Sequence, residues 1–179
     1  MKLNQVNADH LDFVRKGPIY QIFPERFARD ESVPADRPLV DWQTAPTPQN
    51  FFGGNLRGIL SKLDYLAEIK AANIYFNPIF EAPSNHRYDT HDYFKIDPLL
   101  GTNEDFRELT TASKAHNIGI ILDGVFNHVG ETYPDFVQAR ETKTQDKFFI
   151  YPDGSYQTFG GATALPKLNT EHPATLDLV

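Results

Sequence analysis

Three short stretches concentrate the side chains that could do chemistry. Asp123-Gly124-Val125-Phe126-Asn127-His128 begins with a carboxylate directly after an apolar run, then adds an amide and an imidazole four and five positions later. Asn85-His86-Arg87-Tyr88-Asp89-Thr90-His91-Asp92-Tyr93 places a tyrosine ring beside a carboxylate, and Leu165-Pro166-Lys167-Leu168-Asn169 is the third stretch. A carboxylate at a buried strand end is costly unless a cation or several donors meet it, so Asp123 is either a functional group or a brace bonded to loop amides. Asp123, Asn127 and His128 together offer an oxygen-rich ligand set that suits calcium better than zinc, and loop capping by the same residues is the other reading. Tyr88 beside Asp89 has the chemistry of a sugar contact, a ring to stack and a carboxylate to accept hydroxyl hydrogen bonds; core packing is the alternative use of the ring.

Other chemistries are excluded by what the chain lacks. It contains no cysteine, which removes thiol nucleophiles, disulfides and zinc-thiolate sites. Gly53-Gly54-Asn55-Leu56-Arg57-Gly58 matches neither GxGxxG nor GxxxxGK[ST], so no phosphate loop is read there, and no GxSxG elbow occurs. His86 and His91 are not at helical metal-ligand spacing.

The elements that must position these residues alternate between strand and helix. Gly17-Pro18 introduces a strand at Ile19 to Phe23, stopped by Pro24. From Arg29 to Asn50 four prolines block regular structure and predict a long loop. Asn55 caps a predicted helix whose apolar positions Leu56, Ile59, Leu60, Leu63, Leu66 and Ala67 recur on one face. Ile74 to Phe76 reads as a second strand, Ile79 to Leu100 as a loop, and Thr102 with Asp105 as the capped start of another helix. Ile118 to Leu122 is apolar throughout, which predicts a third strand covered on both faces. Strand, helix, strand, helix, strand is a parallel α/β arrangement, in which functional residues gather at the carboxyl ends of strands. Phe148 to Tyr151, a Pro152-Asp153-Gly154 turn and Ser155 to Phe159 read as a hairpin in a segment that leaves this alternation.

With 179 residues, 24 acidic against 17 basic side chains and a net charge of −7, the composition is that of a water-soluble globular chain with no affinity for a phosphate backbone. No apolar run approaches the ~20 residues of a membrane span, and the first residues lack a secretory leader, so a cytoplasmic location is expected. Nucleic acid and membrane are not expected partners. Aromatic residues make up 13% of the chain, enough to fill a core and still leave rings for flat apolar ligand faces.

Taken together, the motifs resemble those of one family. Asp123-Gly124-Val125-Phe126-Asn127-His128 is similar to the DxVxNH segment of the α-amylase superfamily of glycoside hydrolases. Gly17 to Phe27 resembles that family's first barrel strand, and Asn77 to Thr90 resembles the second-strand loop of neopullulanases, cyclomaltodextrinases and maltogenic amylases. Leu165-Pro166-Lys167-Leu168-Asn169 resembles their MPKLN segment, with Leu in place of Met; oligo-1,6-glucosidases, with QPDLN there, are the second candidate. The resemblance implies a partial (β/α)8 barrel, its first three βα strands, with a domain B insertion after the third. It divides the chain into a lead-in at 1–16, a partial barrel at 17–129, an insertion at 130–168 and a return segment at 169–179.

The implied activity is cleavage of α-glucosidic bonds in maltooligosaccharides, cyclodextrins or pullulan with retention of configuration. Carried over to this sequence, Tyr88 stacks on the sugar at the cleavage subsite with Asp89 beside it, and His128 bonds one of its hydroxyls. Asp123 sits beneath that subsite, while Asn127 holds the domain B loop and, in some relatives, calcium. No cofactor is required. The first-strand calcium loop of some relatives reads Ala28-Arg29-Asp30-Glu31-Ser32 here, and an often acidic position is Asn55, so calcium is left open rather than assigned. A retaining glycosidase needs two carboxylates about 5 to 5.5 Å apart. In the family these come from strands four and five, which places both beyond Val179, and neither Asp89 with Asp123 nor Glu81 with Asp123 shows the divergent environments that acid and nucleophile need. The chain alone is therefore expected to be inactive and to need the remaining half or self-association. Two other readings stand beside this one: a non-catalytic carbohydrate-binding or complementing module, and a metal-dependent hydrolase centred on Asp123, Asn127 and His128.

Overall fold

The computed structural model describes residues 15–177. Of the expected lead-in, residues 1–14 lie outside the described residues, as do 178–179 of the return segment. The described residues form two compact units, one from 15–79 with 96–123, the other from 80–95 with 124–177. The units therefore do not follow the linear order of the chain. In chain order the first unit contributes β1 (Ile19–Ile22), α1 (Leu56–Leu60), α2 (Leu63–Glu68) and β2 (Asn73–Phe76). The chain enters the second unit with β3 (Phe80–Glu81) and β4 (Asp92–Ile96), whose last residue belongs to the first. It returns for α3 (Asn103–Ala115) and β5 (Gly119–Leu122), then ends in the second unit with α4 (Pro134–Thr142), β6 (Thr158–Phe159), β7 (Ala162–Pro166) and α5 (Pro173–Leu176).

The first unit is α/β. Its sheet runs β1-β2-β5, parallel throughout, with Ile19 opposite Asn73 and Asn73 opposite Gly119. The central strand is the buried one: Ile74 and Phe76 have no exposure, and Leu56, Ile59, Leu63 and Leu66 of α1 and α2 share its core. These four positions continue one helical face, yet the expected single helix breaks at Ser61–Lys62, where the Ser61 hydroxyl donates back to the Gly58 carbonyl at 2.7 Å. Asn55 caps α1, its side chain accepting from Gly58 N at 2.8 Å. At the start of α3, Thr102 and Asp105 form a complete capping box, and Arg57 of α1 reaches Asp105 at 2.9 Å. Burial works to raise the Asp105 pKa, but the hydrogen bonds from Thr102 and Arg57 outweigh it and lower the value.

β5 departs from the expectation of a strand covered on both faces: its residues are half-buried and Leu122 is 37% exposed. Among the described residues it lies at the edge of the sheet, paired only to β2, so its apolar run is unmatched on the other side. The 29–50 segment has no helix or strand, as its prolines predict. It is tied down by Arg26, which donates to the Thr47 carbonyl at 2.7 Å and stacks over Phe23 and Phe52.

The second unit is built around Phe136, against which Phe148 and Tyr156 pack edge-on at 5.2 and 4.9 Å. The hairpin expected after Phe148 is present, with Ile150 bridged to Tyr156 and Tyr151 N bonded to the Ser155 carbonyl at 2.8 Å. A second hairpin, β6 to β7, closes through Gly160 and Gly161, both at positive φ, as a two-residue turn needs. The loop expected between Ile79 and Leu100 carries β3 and β4, which pair with each other. No helix among the described residues is long and apolar enough to cross a membrane.

Candidate functional site

The 84–90 loop is organised by the Ser84 hydroxyl, which donates to the Asp89 carboxylate, lies 3.0 Å from His86 Nδ1 and accepts from Arg87 N at 3.1 Å. The Tyr88 amide donates to His86 Nδ1 at 3.1 Å, so that nitrogen is an acceptor and the proton of a neutral His86 sits on Nε2. Arg87 is fully buried, donates to the Asn85 carbonyl at 2.7 Å and adopts φ 59°. A left-handed conformation at a residue with a Cβ costs about 1–2 kcal/mol, offset here by the turn that Arg87 anchors.

This loop and the segment around His128 are bound together. Gly130 N donates to the Thr90 carbonyl at 2.8 Å, and a Cβ on Gly130 would strike the Asp89 carbonyl. His128 is 6% exposed and stacks on Phe159, centroids 4.8 Å apart and planes 22° from parallel. Its Nδ1 lies 3.2 Å from the Asn127 side-chain amide nitrogen, a donor, which leaves the ring proton on Nε2. Nε2 is buried and makes no hydrogen bond of ordinary geometry. Burial pushes the imidazole below its ordinary pKa, with the Tyr88 carbonyl and the Asp89 carboxylate acting in the opposite sense. Tyr88, Asp89 and His128 are thus neighbours within the second unit.

The 165–169 segment is the third side of this arrangement. Lys167 bridges antiparallel to His128, Val129 N donates to the Pro166 carbonyl at 3.1 Å, and Leu168 N donates to the Asn127 carbonyl at 3.0 Å. Asn127 is therefore held through its backbone, while its side chain is exposed. Tyr93 donates its hydroxyl to the Val125 and His128 carbonyls from β4. Neither Tyr93 nor Phe159 stood out in the sequence: the first lies in a polar loop, and the second is known only as the end of a hairpin. Asp123 follows β5 at the end of the first unit, half-buried, and Glu81 is paired with Lys95 at 3.0 Å.

The residues do not fit calcium. Calcium takes six to eight oxygens, but the Asn55 amide nitrogen donates to the Asp30 and Gly53 carbonyls at 2.9 and 3.3 Å and so occupies the acceptors of the first loop. Asp30 itself accepts from Ser32 N at 2.8 Å. Asn127 turns its amide nitrogen to His128, and among the described residues no three His, Asp or Glu side chains gather around a cation-sized space. The double glycine offers no phosphate cradle either, because the Phe52 and Gly53 amides donate to buried Glu25.

The catalytic domain of alpha-amylase, as a sequence family, matches residues 21–175, which include the Tyr88, Asp89, Asp123 and His128 positions. The chain belongs to the alpha-amylase family. Within it, a cyclomaltodextrinase from a Bacillus species is 41% identical over 174 residues, covering 90% of this chain and 31% of that protein. An intracellular maltogenic amylase from Bacillus subtilis (strain 168) is 40% identical over 171 residues, 90% of this chain and 29% of the relative. Among solved structures, a cyclic α-maltosyl-(1→6)-maltose hydrolase from Arthrobacter globiformis superposes with a TM-score of 0.86 at 40% identity, over 93% of this chain and 40% of that one. This alpha-amylase family chain spans less than a third of the length of the two curated relatives.

Proposed function

We propose that this chain contributes part of the sugar-binding subsite of a retaining α-glucosidic-bond hydrolase that acts on maltooligosaccharides, cyclodextrins or pullulan. The observation that carries the reading is that the Tyr88 carbonyl and the Asp89 carboxylate both act on the His128 imidazole, which brings three residues of sugar-binding type together in a family whose similar members have glucan-cleaving names. His128 contributes an imidazole that lies against the Tyr88 carbonyl and the Asp89 carboxylate. Tyr88 supplies the stacking ring and Asp89 accepts a hydroxyl. Asp123, at the end of β5, keeps the role that the family resemblance gives it, and Asn127 holds the inserted segment. The parallel order β1-β2-β5 supports a reading of these strands as the first three of a (β/α)8 barrel, with 130–168 as the insertion.

In this reading the nucleophile and acid/base are contributed from outside residues 15–177, since the reaction needs two carboxylates about 5 to 5.5 Å apart with divergent pKa values. The substrate is a neutral glucan, which suits an acidic protein, and a cytoplasmic location is supported by the name of the intracellular B. subtilis relative. The test is to combine this chain with a polypeptide supplying the remaining barrel strands and follow maltotriose by NMR. Release of maltose or glucose in the α configuration supports the reading, and loss of that turnover in His128→Ala assigns the residue. Binding of maltotriose without turnover moves the assignment to a complementing sugar-binding module, and no binding at all overturns both.

A further inference from the structure

We propose that Phe159 is a positioning residue, which holds the plane of His128 from the tip of the β6–β7 hairpin. The inference rests on His128 being a sugar contact, but its structural half stands independently. Burying a phenylalanine stabilises a fold, yet Phe159 stays 53% exposed, and a Cβ at the adjacent Gly160 or Gly161 would meet nothing within 4 Å. Core packing therefore does not explain this ring. One of its faces lies against His128 at 4.8 Å and 22°, and that contact is part of what leaves His128 only 6% exposed.

The backbone delivers the ring to this place. Thr158 pairs with Pro166 and Phe159 with Ala162, so the register shifts between two consecutive residues, a local irregularity that re-aims a side chain. Lys167, next to Pro166, bridges to His128 and donates its amide to the Gln157 carbonyl at 2.9 Å. The strand that carries Phe159 is thus registered on the strand that pairs with His128 itself. With the Asn127 amide at Nδ1 and the phenyl ring on one face, the imidazole keeps one orientation and one tautomer.

The first test uses this chain and requires no activity. In nitrogen-15 spectra of the imidazole, His128 is expected as a single Nε2–H tautomer titrating below an ordinary histidine. Phe159→Ala is expected to mix the two tautomers and move the titration upward, while Phe159→Tyr keeps both properties. An unchanged tautomer and titration in Phe159→Ala overturns the proposal. The second test uses the reconstituted enzyme. Phe159→Ala is expected to lower kcat/KM for maltotriose about tenfold, with Phe159→Tyr restoring it and with no further loss when added to His128→Ala. Additive losses overturn the positioning role. A reconstituted enzyme without turnover overturns the functional reading and leaves the spectroscopic result to decide the structural one.

Discussion

His116, at the end of α3, reaches across to Asp64 of α2, its Nε2 3.0 Å from Oδ1, while its Nδ1 lies 2.9 Å from the Ala112 carbonyl. The Ala112 carbonyl, and next the Asp64 carboxylate, raise the pKa of His116 above its ordinary value. A histidine whose folded pKa is raised adds stability that is fully present below the unfolded value near 6.5 and is lost as pH rises through the folded one. Asp64→Asn is expected to lower the His116 titration midpoint in NMR and to flatten the stability change over that window. An unaltered midpoint would refute the pairing.

The reverse sign applies to His128, which burial pushes below its ordinary value. Above about pH 6.5 it is neutral both folded and unfolded and has no effect; as pH falls below that, only the unfolded chain gains the proton and stability drops. Urea denaturation between pH 7 and pH 5 is expected to show this loss in the wild type and less of it in His128→Gln.

Tyr93 spends its hydroxyl on two backbone carbonyls, those of Val125 and His128. Burial, and then Tyr133, push its pKa well above that of a free phenol, so it remains a donor wherever the fold persists. Tyr93→Phe is expected to cost about 1–2 kcal/mol in denaturant unfolding. A loss within error of zero would show that the hydroxyl is dispensable.

Two glycines offer a matched comparison. A Cβ on Gly130 would collide with the Asp89 carbonyl, whereas one on Gly160 meets no atom and strains only the backbone at φ 58°. Gly130→Ala is expected to cost about 1–3 kcal/mol by overpacking in denaturant unfolding, while Gly160→Ala costs about 1 kcal/mol. Equal effects from the two would remove the claim that the 84–90 loop is held against Gly130.

The Asn55 side chain does in the first loop what a cation would do, joining the Asp30 and Gly53 carbonyls. Thermal unfolding of the chain is expected to be unchanged by a chelator. Asn55→Ala is expected to destabilise by about 1–3 kcal/mol, since it removes a helix cap and leaves acceptors unmet. A transition lowered by the chelator would show that a metal is bound after all.

The strands β1, β2 and β5 were legible in the sequence because each is a short apolar run between breakers, and α3 because its capping box is local. α4 was not: among its nine residues only Phe136 and Ala139 are buried, and it ends on a left-handed Lys143 where no glycine advertises the stop. Pro134 and Asp135 at its start were the available signal. β3 and β4 are two short strands in a polar stretch, stabilised by pairing with each other rather than by any pattern of their own. Tyr88, Asp89 and His128 announced themselves by residue type. Their meeting was implied only by the family resemblance, and residue type could not show what it depends on, the positive φ of Arg87 and the close approach at Gly130.

The discontinuity of the two units means that no single cut in the chain separates them. The excursion carrying β3 and most of β4 leaves the first unit after Ile79 and returns at Ile96, and its neck is clamped by the Asp97 amide donating to the Ile79 carbonyl at 3.0 Å. The first unit can close with that excursion still unfolded, because the entropy of a loop grows only slowly with its length. The second unit likewise has a long intervening stretch, residues 96–123, between its two pieces. Cutting the chain after Asp123 would therefore not release two domains, because residues 80–95 of the second unit stay on the polypeptide that carries the first.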